Sequence, residues 1–417
     1  MSTISRTDNQ IKIEGDLEVS DLHRLLATHH SAIEKAGYAD VVVDFSRCTA
    51  AFPSSMLAVC AQLMAYREAG IELSLKLPEQ QKLSRLFLNS NWAHLIDPHA
   101  YDPSTFRGYT HVPATNYRTA DEQFRSVNLI VNAILGAVPE LHRQDFAAFE
   151  WSINEITDNV LTHANSKVGG LVQVSTFQRN KKIVQYVVAD AGVGIPASLR
   201  ETHPEITSDT DALDRAIREG VTRDKSVGQG NGLYGSFQIC NHCKGTLIVD
   251  SGYAILELDA QQRLSVNRSN IPYVGTLVVA EIDFSKRGLL EEALRFGGKK
   301  HTPVDTLETT YEDEAGLEIH FRIVDESKSF GSRPAGTPVR TKLMNLYRMS
   351  GGKKIVVDFD RVPLISSSFA DEVFAKLFVE IGPTAFMRTF VFRSETDTIN
   401  QLIDRAISQR VAAKGVL

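Results

Sequence analysis

Glu155 and Asn159 stand four residues apart in INEITDNVLTHA (153 to 164), a stretch whose Ile153, Ile156, Val160 and Leu161 recur with helical spacing. Residues four apart share one helix face. A carboxylate and an amide projecting together suit the chemistry of a Mg²⁺-nucleotide. The amide oxygen is a neutral hard ligand, and the carboxylate can orient or deprotonate a nucleophile. Asp158 points elsewhere on the same helix. Such a pair is also the ordinary solvated face of a helix, so the two segments that follow decide its meaning.

The second segment, DAGVGI (190 to 195), closes KKIVQYVVAD, whose β-branched run through Ile183, Val184, Val187 and Val188 predicts a buried strand ending at Asp190. Asp190 offers an acceptor for an exocyclic amine, and Gly192 and Gly194 let backbone approach a ligand closely. A plain turn is the alternative. The third segment, GQGNGL (228 to 233), opens LYGSFQICNHC, which continues as a helix. Glycine-rich backbone leading into a helix N-terminus is an anion cradle, because free N–H groups and the helix dipole face the phosphates. It lacks the lysine of a Walker A loop and the early strand-loop-helix setting of a dinucleotide fingerprint.

The order Glu155-x-x-Asp158-Asn159, Asp190-x-Gly192-x-Gly194, Gly228-x-Gly230-x-Gly232, then Gly275-Thr276 resembles the GHKL superfamily of gyrase, Hsp90, MutL, histidine kinases and anti-sigma-factor kinases. The resemblance covers about residues 118 to 285. It implies ATP and Mg²⁺ as ligands: Asn159 as the Mg²⁺ ligand, Glu155 as general base, Asp190 as the reader of adenine, Thr276 supporting the Asp190 end through its hydroxyl, and Gly228, Gly230 and Gly232 along the phosphates.

More than thirty residues, from Pro196 to Val227, separate the second and third segments, long and polar enough for a lid over a bound ligand. DALDRAIREG within them predicts a short helix. Thr222, Arg223 and Lys225 stand where they can reach phosphate oxygens, though exposed basic residues are also ordinary.

The elements that must position these groups belong to a chain of 417 residues, 43% hydrophobic and 23% charged, which suits two to four soluble domains. A net charge of −6 argues against broad nucleic-acid or anionic-membrane binding. The basic GGKKH (297 to 301) and GGKK (351 to 354) read as solvated turns. With no signal-peptide pattern and no apolar run of membrane-spanning length, the expected location is cytoplasmic. Four cysteines, at 48, 60, 240 and 243, give no disulfide framework. Cys240, His242 and Cys243 look like half a metal site without its complement, so helix-end packing is the expectation.

An internal repeat organises the ends of the chain. VVVDFSRCTAAFPSSMLAVCAQLM (41 to 64) is echoed by IVVDFDRVPLISSSFADEVFAKLF (355 to 378), with five of the first seven positions identical. Each copy predicts a buried strand, a loop, then serines opening an apolar-periodic helix, followed by a strand (IELSLKL, 71 to 77; FMRTFVF, 386 to 392) and a last helix. The pattern resembles the STAS domain, the anti-anti-sigma fold, over about residues 8 to 100 and 316 to 412. The Asp-Ser-Ser-Gly of that family is Pro53-Ser54-Ser55-Met56 in one copy and Ser366-Ser367-Ser368-Phe369 in the other. Ser55 and Ser368 are then candidate phosphoacceptors, or helix caps.

The expected protein is therefore α/β (α+β): a central GHKL (Bergerat) α/β sandwich with N- and C-terminal STAS-like α/β domains. The boundaries are 1 to 100 STAS-like, 101 to 117 connector, 118 to 285 ATP-binding, 286 to 315 linker and 316 to 417 STAS-like. The resemblance implies a bacterial signalling protein in which nucleotide state, hydrolysis or serine phosphorylation controls association with STAS-like domains or other regulatory partners, sigma-factor-like ones included. Alternatives are a gyrase- or MutL-like ATPase that closes a homodimer, for which the adjoining transducer domain is missing, and a scaffold that retains ATP without turnover.

Overall fold

The computed structural model describes residues 2–105, 111–177, 182–218, 220–221, 231–288 and 292–414, a mixed α/β architecture. The chain divides into two compact units: Met1–Ile130 with Trp151–Thr302, and Val131–Glu150 with Pro303–Leu417.

The first unit holds two sheets. Strands β1 (Thr3–Thr7), β2 (Gln10–Leu17), β3 (Asp40–Asp44) and β5 (Glu72–Lys76) lie in that order, with β4 (Cys48–Ala51) also on β2; β2, β3 and β5 run parallel. Helices α1 (Leu22–His30), α2 (Pro53–Glu68), α3 (Gln81–Asn89) and α4 (Trp92–Ile96) accompany them. The second sheet is antiparallel, in the order β6 (His111–Tyr117), β7 (Gly170–Thr176), β8 (Ile183–Asp190), β10 (Leu264–Asp283), β9 (Thr246–Leu258). Residues 111–117, within the expected connector, are thus an edge strand, its pairing set by β7 more than fifty residues away.

Strand alternation explains why β8 reads as an unbroken apolar run. Val187 and Ala189 belong to one core with the N-terminal half, while Tyr186, Val188 and Asp190 face the other way. β10 does the same, with Leu277 and Val279 in that core and Thr276 and Val278 opposite. Helix α2 lies on β7, β8 and β10, and ten of its residues in succession, Ser55 to Met64, are buried. A helix apolar on every side needs cover on every side.

Polar contacts fix the same junction. Trp92, fully buried, donates from Nε1 to Gln173 Oε1 at 2.9 Å, and Gln62 donates to Val274 O. His23 on α1 sits 2.6 Å from Asp250 Oδ2 through Nε2 and 2.7 Å from Ile271 O through Nδ1. Burial opposes charge on this ring, but the Asp250 carboxylate outweighs it and holds the imidazole above its usual value.

The second unit carries a parallel three-stranded sheet, β13 (Glu318–Arg322), β14 (Lys354–Asp358) and β15 (Phe390–Arg393). Its order matches β2, β3 and β5, so the repeated segments occupy equivalent central strands, β3 and β14. The strand expected over 386 to 392 is shorter, because Gly382 (φ 88°) and Pro383 start a helix over Pro383–Thr389. Val131–Glu150, expected inside the ATP-binding segment, groups here. Buried Asn345 donates to Leu135 O and Val138 O, both at 2.8 Å, and accepts from Leu141 N at 3.1 Å.

Trp92→Phe keeps an aromatic side chain but removes the Nε1 donor to the fully buried Gln173 Oε1, so stability should fall by about 1–3 kcal/mol, read as a lower denaturation midpoint.

Candidate functional site

Helix α6 (Arg143–Asn159) ends in one π-helical turn, Val160–Ala164, closed by Asn165 in the left-handed region (φ 49°). The ladder changes where Tyr117 Oη donates to Thr157 O at 3.2 Å, and Gln123 fixes the Thr157 hydroxyl at 2.7 Å. Trp151, Glu155, Asn159 and His163 all line a cavity of about 460 Å³ along this face. Ser152 pins the helix from behind, 2.7 Å from Tyr186 Oη and 2.8 Å from Ser236 Oγ.

At one end of the cavity stands Asp190, the last residue of β8, with only 1% of its surface exposed. Burial pushes its carboxyl up to about 7, against the backbone N–H groups of Gly192 and Thr276 that favour the charge. The Gly192 bond is 2.7 Å, and Tyr273 Oη donates to Asp190 O at 3.1 Å.

The nearby glycines serve the protein's own packing. A Cβ at Gly192 would lie 2.0 Å from Ala164 O, and one at Gly194 (φ 78°) would lie 2.7 Å from Ser251 Oγ. Their need comes from the backbone and side chains pressed against them. The Thr276 hydroxyl faces Ser251 Oγ at 3.3 Å, so Thr276 reaches Asp190 through its backbone N–H.

Toward the other end, helix α9 (Gly232–Cys243) begins against α6. A Cβ at Gly232 would meet Glu155 Oε2 at 2.7 Å and Asn159 Nδ2 at 3.5 Å. The first residue of α9 therefore packs directly on the Glu155–Asn159 face. Burial raises the Glu155 carboxyl, and the charge of Asp158 raises it further. Such a shift moves a carboxylate toward the range useful for proton transfer.

Thr222, Arg223, Lys225, Gly228 and Gly230 lie outside the described residues. The expected helix between the segments is α8 (Asp209–Ala216), capped by Ser208, which accepts from Asp211 N at 3.1 Å. Cys240 and Cys243 are buried, burial raising both thiols, and no group of three or more His, Cys, Asp or Glu residues placed to hold a metal ion occurs among the described residues.

Two cavity residues come from the expected linker. Strands β11 (Arg295–Phe296) and β12 (Lys299–Lys300) form a hairpin that brings Phe296 and His301 to the wall beside Trp151. The Gly297-Gly298 pair, both with positive φ, is the sequence signal for that turn.

Residues 335–400 match the STAS-like domain of unknown function (DUF4325). No curated protein matches the chain. Among solved structures, full-length ShkA in complex with AMPPNP aligns at 12% identity over 85% of this chain and 69% of that one, with a TM-score of 0.23, too loose a likeness to place any residue.

The serines of the two repeats differ in setting. Ser55 is fully buried and within donor reach of Leu17 O and Phe52 O, both at 3.1 Å, while Phe52 holds the cap position. In the STAS-like segment Ser366 caps the following helix by accepting from Phe369 N at 3.0 Å, and Ser368 is exposed.

A carboxyl raised from 3.8 to about 7 is protonated more readily in the folded than in the unfolded chain, so its contribution to stability is full below pH 3.8 and is lost as pH rises through about 7. Asp190→Asn should remove that component, raising the melting temperature of the ligand-free protein at pH 8 relative to wild type and flattening its dependence between pH 4 and 8.

Proposed function

We propose that this chain binds Mg-ATP in the α6 cavity and uses nucleotide state to control the association of STAS-like segments, its own or a partner's. The carrying observation is the arrangement of Asp190 at one end of the cavity with Glu155 and Asn159 under a helix N-terminus further along. A buried carboxylate suits an exocyclic amine that donates to it, and an amine bonded there would offset the cost of its charge.

The residues also fit a divalent ion. Asn159, on the cavity face of α6, would hold the ion through its amide oxygen, a neutral hard ligand of the kind Mg²⁺ accepts. When bound, the ion would neutralise phosphate charge. Glu155 would accept the proton of the attacking hydroxyl, and the α9 N-terminus beside it would favour phosphate oxygens.

That hydroxyl belongs to water or to a serine. The fully buried Ser55, held by two backbone carbonyls, favours hydrolysis or transfer to a partner over self-phosphorylation at that position. Ser368 stays available as an acceptor by its exposure.

Incubating the full chain with γ-labelled ATP and Mg²⁺ separates these products: free phosphate marks an ATPase, label on Ser368 a kinase. Glu155→Ala should retain nucleotide affinity and lose about 10²–10⁴-fold in turnover, whereas unimpaired turnover would remove Glu155 as the base. Asn159→Ala should weaken binding only when Mg²⁺ is present, measured by calorimetry with and without chelator. Wild type that binds no nucleotide overturns the proposal.

A further inference from the structure

We infer that the hairpin from Leu294 to His301 forms the terminal-phosphate end of the α6 cavity, with His301 as the side chain that contacts the last phosphate of a nucleoside triphosphate. The inference rests on the nucleotide reading above.

Position along α6 carries it. Ala164 touches Gly192, beside Asp190, and Trp151 touches the hairpin, thirteen residues earlier on the same helical stretch. At 1.5 Å per residue those ends are about 20 Å apart, with Asn159 about 8 Å and Glu155 about 14 Å from the Ala164 end. A base held at Asp190 then sets its sugar and inner phosphates near Asn159. The last phosphate falls between Glu155 and the wall made by Trp151, Phe296 and His301.

That wall is a built feature. Ala293 and Leu294 are buried and anchor the hairpin, and His301 N donates to Leu294 O at 2.8 Å. Phe296 packs between Trp151 (ring centroids 5.7 Å) and Tyr234 (6.1 Å), and a Cβ at Gly235 would come within 3.3 Å of it. The His301 ring meets Trp151 edge-on at 5.8 Å and Phe296 at 5.8 Å, so two aromatic neighbours fix its plane. Lys299, Lys300 and His301 are all exposed, and of the three His301 lines the cavity. An imidazole N–H held by apolar rings is a directed donor for a phosphate oxygen.

A diphosphate ends short of this wall, so the contact belongs to the triphosphate alone. Calorimetry on the full chain with Mg-AMPPNP and Mg-ADP tests this in wild type, His301→Ala and His301→Gln. His301→Ala should weaken AMPPNP binding roughly tenfold, the loss of one charge-assisted hydrogen bond, and leave ADP binding within about twofold. His301→Gln, which restores an N–H donor, should recover part of the difference. Wild type that binds both nucleotides while His301→Ala changes neither, or weakens both alike, overturns the assignment and spares the nucleotide reading. Wild type that binds neither overturns both.

Discussion

The antiparallel sheet of the first unit has two apolar faces, and the structure depends on both being covered. One face takes the N-terminal half of the unit, through α2 and the core that Val187, Ala189, Leu277 and Val279 share with it. On the other face α9 lies on β9 and β10 and Ser152 of α6 meets Tyr186 of β8, and there the same strands turn Asp190, Val188, Thr276 and Val278 toward the cavity. The alternation of side chains along β8 thus assigns one parity to packing and the other to the cavity wall. Asp190 is buried because it ends a strand already enclosed on both sides, and that enclosure raises its carboxyl.

That Glu155, Asn159 and Asp190 share one cavity was legible in the sequence because helix and strand periods carry them. Four-residue spacing put Glu155 and Asn159 on one face, and a β-branched run placed Asp190 at a strand end. The glycines were legible as necessary but not for their reason: Gly192 and Gly194 answer to Ala164 and Ser251, contacts made by residues nearby in space and not in sequence. The same cause hid β6 and the β11–β12 hairpin. Their partners, β7 for one and the α6 and α9 rings for the other, are distant along the chain, so local composition reads as connector and linker. Over 383 to 389 a local signal was present, the Gly382-Pro383 step, and it prevailed over the apolar residues that suggested strand.

The internal repeat shows how far one pattern can diverge in use. Both copies put a strand ending in Asp-Phe at the centre of three parallel strands. In the first copy the following helix is apolar all round and lies between its own sheet and a second one, which buries Ser55. In the second, the corresponding stretch passes through one π-helical turn, Asp371–Ala375, where Arg333 and Arg410 hold Asp371, while Arg340 and Lys376 reach Glu372, and its serines open to solvent. Ion pairs in one copy stand where the other has hydrocarbon.

The burial of α2 against β7, β8 and β10 also decides where the chain tolerates a cut. Severing it near residue 100, where composition suggests a joint, would bare the sheet face that carries Leu171, Val187, Ala189, Leu277 and Val279 and strip the buried Gln173 of its Trp92 donor. An apolar surface of that kind adheres to whatever apolar surface it meets, its own copies first. The N-terminal sheet and the antiparallel sheet therefore share one core, and a boundary drawn between them would cut through it.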